Sequence, residues 1–165
     1  MLDEQYQKEA LDLTPGEISN LSGVVGWEAP SNIALIKYWG KKGNQLPLTP
    51  SLSMTLSNAR TTTKIYYRTA EHSKGQIDFQ FDGREHTGFS ERVRRFLESL
   101  SVYFPFLPNL DLFIDTRNSF PHSSGIASSA SAMSSLALSL CSIEEQLKKK
   151  HSADKHFFRK ASFIA

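Results

Sequence analysis

Apolar and polar residues alternate across Ile77, Asp78, Phe79, Gln80 and Phe81, the two-residue period of a half-buried strand, and Asp82-Gly83 behind them predicts a tight turn. The period then changes. Phe89, Val93, Phe96, Leu97 and Leu100 fall at helical spacing, which predicts a helix over 89–104 with Ser90 and Glu91 in its first turn. A strand returns at 110–117, with Leu112 and Ile114 on one face. Met133, Leu136, Ala137 and Leu140 draw an apolar stripe that predicts a helix over 126–141, and a further helix is expected from 152 to the end. Upstream, 52–56 and 61–67 are β-prone runs, and Gly40, Gly43, Pro47 and Pro50 ahead of them predict a loop. Residues 1–18 lack a sustained stripe and are expected as an arm or short helix laid on a domain spanning 19–165. Strands followed by helices, in an antiparallel-looking meander, predict an α+β fold rather than a doubly wound sheet.

Composition narrows the class. The 165 residues are 39% apolar with eleven phenylalanines, enough for one real core and against disorder. Nineteen Lys and Arg against seventeen Asp and Glu leave a formal charge of +2, which suits phosphorylated ligands but gives no basic footprint for nucleic acid. The single cysteine, Cys141, rules out an internal disulfide and fits a reducing cytoplasm. The acidic start "MLDEQYQKEALDL" is unlike a secretory signal, and no apolar run approaches the ~20 residues of a membrane span, so a soluble cytoplasmic domain is expected. The final "FFRKASFIA" still follows a helical pattern without a closing Gly or Pro. The expectation is a chain stopping mid-element, with exposed apolar surface at Phe163, Ile164 and Ala165.

The stretch "PHSSGIASSA", residues 121–130, stands where the serine-rich helix must start. Nine of the twenty residues from 123 to 142 are serine, a linker-like composition. A linker has no reason to hold Ile126, Met133, Leu136, Ala137 and Leu140 at helical spacing, so that reading loses. An anion-binding turn has a mechanism: Gly125 admits unusual backbone angles, a helix starting near Ile126 offers free N–H donors and a positive dipole end, and Ser128, Ser129 and Ser131 add hydroxyls. Ordinary capping by Ser123 or Ser124 explains the stretch equally well, since neither a Walker lysine nor a dinucleotide-binding glycine pattern is present.

A second stretch, "APSNIALIKYWGKK" at 29–42, changes the balance. Taken singly, Lys37 is an edge-strand or snorkelling lysine and Asn32 a turn residue. Together with "NSFPHSSGIASSASA", this stretch resembles the two N-terminal signature blocks of the diphosphomevalonate decarboxylase family, in the GHMP kinase superfamily. The similarity runs from about Gly26 to the end of the chain. It implies the GHMP kinase N-terminal fold, a mostly antiparallel sheet packed on helices. The implied reaction is ATP-dependent decarboxylation of (R)-5-diphosphomevalonate to isopentenyl diphosphate in isoprenoid synthesis, with Mg²⁺ arriving on ATP. By the same resemblance Asn32 would bind the carboxylate or hydroxyl end of the substrate, and Lys37 would be the catalytic charge stabiliser. Tyr38 and Lys41 would contact the diphosphate, and Ser129 and Ser131 would face substrate and nucleotide. The loop containing Pro121, Ser123, Ser124, Gly125, Ala127, Ser128 and Ser129 would cradle the ATP phosphates.

The resemblance is partial. The family's catalytic aspartate matches none of Asp78, Asp82, Asp111, Asp115 or Asp154, so the chain alone is expected to be inactive. It is expected to act through a homodimer or through association with a C-terminal portion. Two other classes stay open: a small-molecule kinase of the superfamily that phosphorylates without decarboxylation, and a non-catalytic binding module. The superfamily fold also occurs in ribosomal and translation proteins. Dispersed basic residues and the lack of an aromatic platform argue against RNA, and no membrane partner is expected.

Overall fold

The computed structural model describes residues 2–13, 17–43, 46–71, 74–121, 124–149 and 154–165. A short helix, α1 (Leu2–Lys8), precedes a long strand, β1 (Ser22–Ile36). A small hairpin, β2 (Lys41–Lys42) and β3 (Leu46–Pro47), leads into β4 (Leu52–Thr69). Then come β5 (Ile77–Phe81), β6 (Arg84–Glu85), α2 (Thr87–Ser99), β7 (Leu110–Asn118), α3 (Ser128–Leu147) and α4 (Lys155–Ile164). The fold is α+β, as the sequence predicts.

Five strands form one sheet in the order β1-β4-β7-β5-β6. The expected meander is corrected at one point: β7 inserts between β4 and β5 and runs parallel to β5, with α2 in the crossover. The two runs at 52–56 and 61–67 are halves of the single strand β4. The loop expected from Gly40 to Pro50 contains the β2–β3 hairpin. β1 carries no clear strand signal, because Gly23, Gly26 and Pro30 dilute it; as an edge strand it tolerates Pro30, next to an irregularity in its pairing with β4. Asp82 and Gly83 both have positive φ, 50° and 73°, the turn expected between β5 and β6.

One face of the sheet is buried under the helices. Along β7, Leu110, Leu112, Ile114 and Thr116 point inward and are buried. The predicted helix at 89–104 ends at Ser99, and the aromatic rings of Phe104 and Phe106 beyond it are fully buried in turns that fill the core. α3 starts two residues later than predicted and runs six residues further, to Leu147. Leu136, Ala137 and Leu140 are buried as expected, whereas Met133 is only half-buried and faces a cavity described below.

The serines of α3 have a packing role. Ser131, Ser135 and Ser139 are fully buried at i, i+4 spacing. Ser131 Oγ meets Thr61 Oγ1 at 2.7 Å, and Ser135 Oγ meets Thr63 Oγ1 at 2.7 Å, with Thr116 Oγ1 on the other side of Thr63 at 3.1 Å. Small side chains let the helix lie close on the sheet, and pairing satisfies each buried hydroxyl.

Asp154 caps α4 by accepting from Phe157 N–H at 2.9 Å. The position 152, where this helix was expected to begin, lies outside the described residues. α4 buries Phe157, Ala161 and Ile164, and also Lys160, whose ammonium reaches both oxygens of buried Glu144 at 2.7 and 2.8 Å. The expected apolar exposure at the end of the chain holds for Phe163, still 36% exposed although Tyr6 at 5.1 Å and Tyr103 at 5.5 Å cover part of its ring, and is corrected for Ile164, which is buried. α1 supplies that cover through the buried ring of Tyr6. No described helix is long and apolar enough to cross a membrane.

Candidate functional site

β7 leaves the sheet beside β4, and the loop after it is pinned to that strand. Ser119 N–H donates to the Arg60 carbonyl, Ser119 Oγ donates to the Asn58 carbonyl, and Arg60 N–H donates to Ser119 Oγ, each at 2.9 Å. The loop then passes exposed Pro121 and Ser124 to Gly125, which is exposed with φ 81°. A side chain there would meet no neighbour, so glycine is required by backbone conformation and not by space.

Ala127 occupies the position before α3, with φ −69° and ψ 64°, and Ser128 N–H turns back to the Ile126 carbonyl at 2.6 Å. The residue at the N-cap position is Ala127, which has no side chain able to cap, so Ser124 is not the N-cap. Ser131 N–H takes the Ala127 carbonyl at 3.2 Å. Between them, the N–H groups of exposed Ser129 and Ala130 have no acceptor among the described residues. Two donors without an acceptor among the described residues, at the positive end of a twenty-residue helix, have the chemistry that suits an anion.

The second sequence block reaches this helix end through the backbone. Ala127 N–H donates to the Asn32 carbonyl at 3.1 Å, fastening the start of α3 to β1 beside its irregularity at Pro30/Asn32. Ser31 Oγ lies buried at that irregularity with no hydrogen-bond partner among the described residues, a feature no residue pattern announces. Lys37 follows the last residue of β1 and is exposed. Tyr38 is 39% exposed, and the Lys41 ammonium stands 5.7 Å from its ring centre.

The other expected site residues divide clearly. Ser129 is exposed at the helix end and Ser128 half-buried, whereas Ser131 is buried and held by Thr61 and the Ser128 carbonyl, which places its hydroxyl in the helix–sheet interface. Ser123 lies outside the described residues. The five aspartates that fail to match the family's base are as follows. Asp82 accepts from Asn118 N–H, Asp111 from Gln76 N–H and Arg68, Asp115 from Arg117, and Asp154 caps α4, while Asp78 is exposed. No group of three His, Cys, Asp or Glu able to hold a metal occurs among the described residues.

A cavity of about 360 Å³ opens beside the helix end, lined by Phe79, Phe81, Phe89, Val93 and Met133 and reaching Ser129. The sequence reading assigns these residues to a half-buried strand and to the apolar stripes of two helices, with no cavity between them. The sign that could have revealed the cavity is Met133, a flexible side chain at the only point of the stripe that is not sealed.

Residues 29–163 match the family described as the diphosphomevalonate decarboxylase-like N-terminal domain. The chain belongs to that family. It is 32% identical over 146 residues to the diphosphomevalonate decarboxylase of Saccharomyces cerevisiae, covering 81% of this chain and 36% of the relative. It is 39% identical over 122 residues to that of Aspergillus fumigatus, covering 66% of this chain and 30% of the relative. The fold superposes on mevalonate diphosphate decarboxylase from Staphylococcus aureus with TM-score 0.67 at 28% identity, over 88% of this chain and 42% of that one. A second neighbour, from Enterococcus faecalis, was solved to describe mevalonate diphosphate-mediated ATP binding; it gives TM-score 0.61 at 30% identity, over 89% and 44% of the two chains. The chain thus spans about a third of the length of the curated relatives it matches.

Proposed function

We propose that this chain carries the phosphate-binding half of an ATP-dependent decarboxylase acting on (R)-5-diphosphomevalonate to give isopentenyl diphosphate. The observation that carries the reading is the junction of the two signature blocks: Ala127 N–H bonds the Asn32 carbonyl, just ahead of the Ser129 and Ala130 N–H groups that have no acceptor among the described residues. Such a junction lets one end of the site hold nucleotide phosphates while the neighbouring strand holds the substrate.

The chain's residues fit ATP in two respects. The donors of the α3 N-terminus suit phosphate oxygens, and the aromatic cavity beside them suits a flat apolar base. Mg²⁺ would be held by phosphate oxygens, with no cluster of side chains required. Bound ATP supplies the phosphoryl group that turns the tertiary 3-hydroxyl into a leaving group. The chain's own task is positioning and charge: Asn32 orients the carboxylate or hydroxyl end, Tyr38 and Lys41 hold the diphosphate, and Lys37 stabilises charge that grows as phosphate departs. Gly125, Ala127, Ser128 and Ser129, with Pro121, Ser123 and Ser124 leading in, shape the cradle. Ser131 contributes by fixing the helix to Thr61. The base comes from outside these residues, so the 165-residue chain binds ligand without releasing carbon dioxide.

The test is to titrate the chain with the Mg²⁺ complex of the non-hydrolysable analogue AMPPCP by calorimetry, beside a Gly125→Val variant. A non-glycine residue at φ 81° costs ~1–2 kcal/mol, so affinity should fall ~10-fold as the cradle distorts. No saturable binding, or equal binding by both chains, refutes the nucleotide assignment. Carbon dioxide release from the chain with ATP and diphosphomevalonate refutes the placing of the base elsewhere.

A further inference from the structure

The distal half of the β1–β4 hairpin extends beyond the sheet. β7 pairs with β4 only from Thr61 to Thr69, whereas β1 follows β4 as far as the Ile36–Leu52 pair. Over that distance the hairpin is a two-stranded ribbon, an arrangement of marginal stability in water.

Its two faces differ. Directly paired residues share a face, so Ile33 with Met54 and Ile36 with Leu52 lie together, since Leu52 and Met54 are two residues apart. The irregularity between Ala34 and Ile36 is what turns both isoleucines the same way. All four are open to solvent: Ile33 40%, Ile36 58%, Leu52 55% and Met54 51% exposed. The alternate pairs, Asn32 with Thr55 and Ala34 with Ser53, form the opposite face, and the Asn32 backbone there is bonded to Ala127. One side of the ribbon therefore borders the phosphate seat and the other is an uncovered aliphatic strip.

Scattered apolar exposure is ordinary, but four aliphatic side chains clustered on strand backbone invite association. Four side chains alone are few for two freely meeting chains, since a stable pair needs about 800 Å² from each partner. It suits a domain held nearby. The matched part covers 36% of the yeast relative and 42% of the staphylococcal chain, so most of each relative lies outside it. From 29 to 59 the chain has no acidic residue and has Lys37, Lys41 and Lys42 at the ribbon's end, so the covering surface should be apolar at its centre and free of lysine at that rim.

We propose that the Ile33–Ile36–Leu52–Met54 face is the docking strip for the second domain of the decarboxylase family, and that docking stiffens the wall carrying Asn32. The proposal rests on the functional reading above only for the identity of that domain.

The test compares hydrogen exchange of ribbon peptides 32–36 and 52–55 in the 165-residue chain and in a fusion of it to the unmatched C-terminal portion of the yeast relative. Exchange in the fusion should slow at least tenfold, Ile33→Ser/Met54→Ser should restore fast exchange, and Ile33→Val should not. Exchange of α3 reports that each variant stays folded. Equal ribbon exchange in both chains overturns the proposal. So does protection, instead of the ribbon, of the open sheet face where exposed Val24, Tyr66 and Phe113 pair across β1, β4 and β7. Concentration-dependent protection in the 165-residue chain alone assigns the strip to a second copy and also overturns it. AMPPCP binding is read separately: its loss with ribbon protection intact sinks the nucleotide reading and leaves the docking strip standing.

Discussion

Replacing Lys160 by methionine should strand a buried carboxylate. Glu144 is 2% exposed and Lys160 3%, and the ammonium reaches both carboxylate oxygens at 2.7 and 2.8 Å while standing 4.5 Å from the centre of the Phe104 ring. Losing one partner of a buried pair costs ~3–5 kcal/mol, most of it from the charge left behind. Here Lys148 stays 3.0 Å from the same carboxylate from a partly solvated position, which softens the loss toward ~3 kcal/mol. With a urea slope of ~2 kcal/mol/M, the midpoint of unfolding should fall by ~1.5 M. The double variant Glu144→Leu/Lys160→Met removes both charges and should return to within ~1 kcal/mol of the parent, since apolar replacement of a buried pair is close to neutral. Circular dichroism at 222 nm across a urea gradient reads all four corners of the cycle. A Lys160→Met loss below ~1 kcal/mol, or a double variant as unstable as the two single losses added, would show that Glu144 is not held charged by this pair.

Ser135→Leu puts three extra carbon atoms where helix and sheet meet at a fully buried hydroxyl 2.7 Å from Thr63; overpacking of this kind costs ~1–3 kcal/mol, so thermal unfolding should show a clear drop, and an unchanged midpoint would refute close α3–β4 packing. Burial pushes the Cys141 thiol up to about 12, so an aromatic disulfide reagent at pH 8 should label it only at the rate at which the chain opens. Because the folded state keeps that proton after the unfolded thiol has lost it, stability falls as pH rises above 9.0 toward about 12, and Cys141→Ala should flatten that part of the curve; an identical alkaline slope in the variant would refute the assignment.

The legible parts of this fold are those decided by local period. β5 with its Asp82-Gly83 turn, β7, and the apolar stripe of α3 follow from spacing alone, because each buries one face in the manner its period requires. β1 escaped because its pairing to β4 overrides the weak propensity of Gly23, Gly26 and Pro30. The far end of α3 escaped because Glu144 looks like a solvent-facing residue until Lys160, sixteen positions on, neutralises it. At the site, the residue types were legible as a resemblance to two signature blocks, while Ser131 shows the limit of that reading: the same hydroxyl that suits an anion seat is taken up by Thr61. Serine content alone cannot tell a donor that faces solvent from one that faces a sheet.

What unites the two blocks is a contact that no side-chain pattern encodes, the Ala127 N–H to Asn32 carbonyl bond. It forms because both partners are referred to the same strand. β1 takes its register from β4 through pairs that include Asn32 with Thr55, and α3 takes its position from β4 through Thr61 with Ser131 and Thr63 with Ser135. A slip of β4 by one residue would turn Thr61 and Thr63 to the open face of the sheet. The same slip would carry Asn32 away from the helix end. Core packing and site geometry are thus set by one register, which is why buried threonines well inside the fold belong to the argument about where a phosphate can sit.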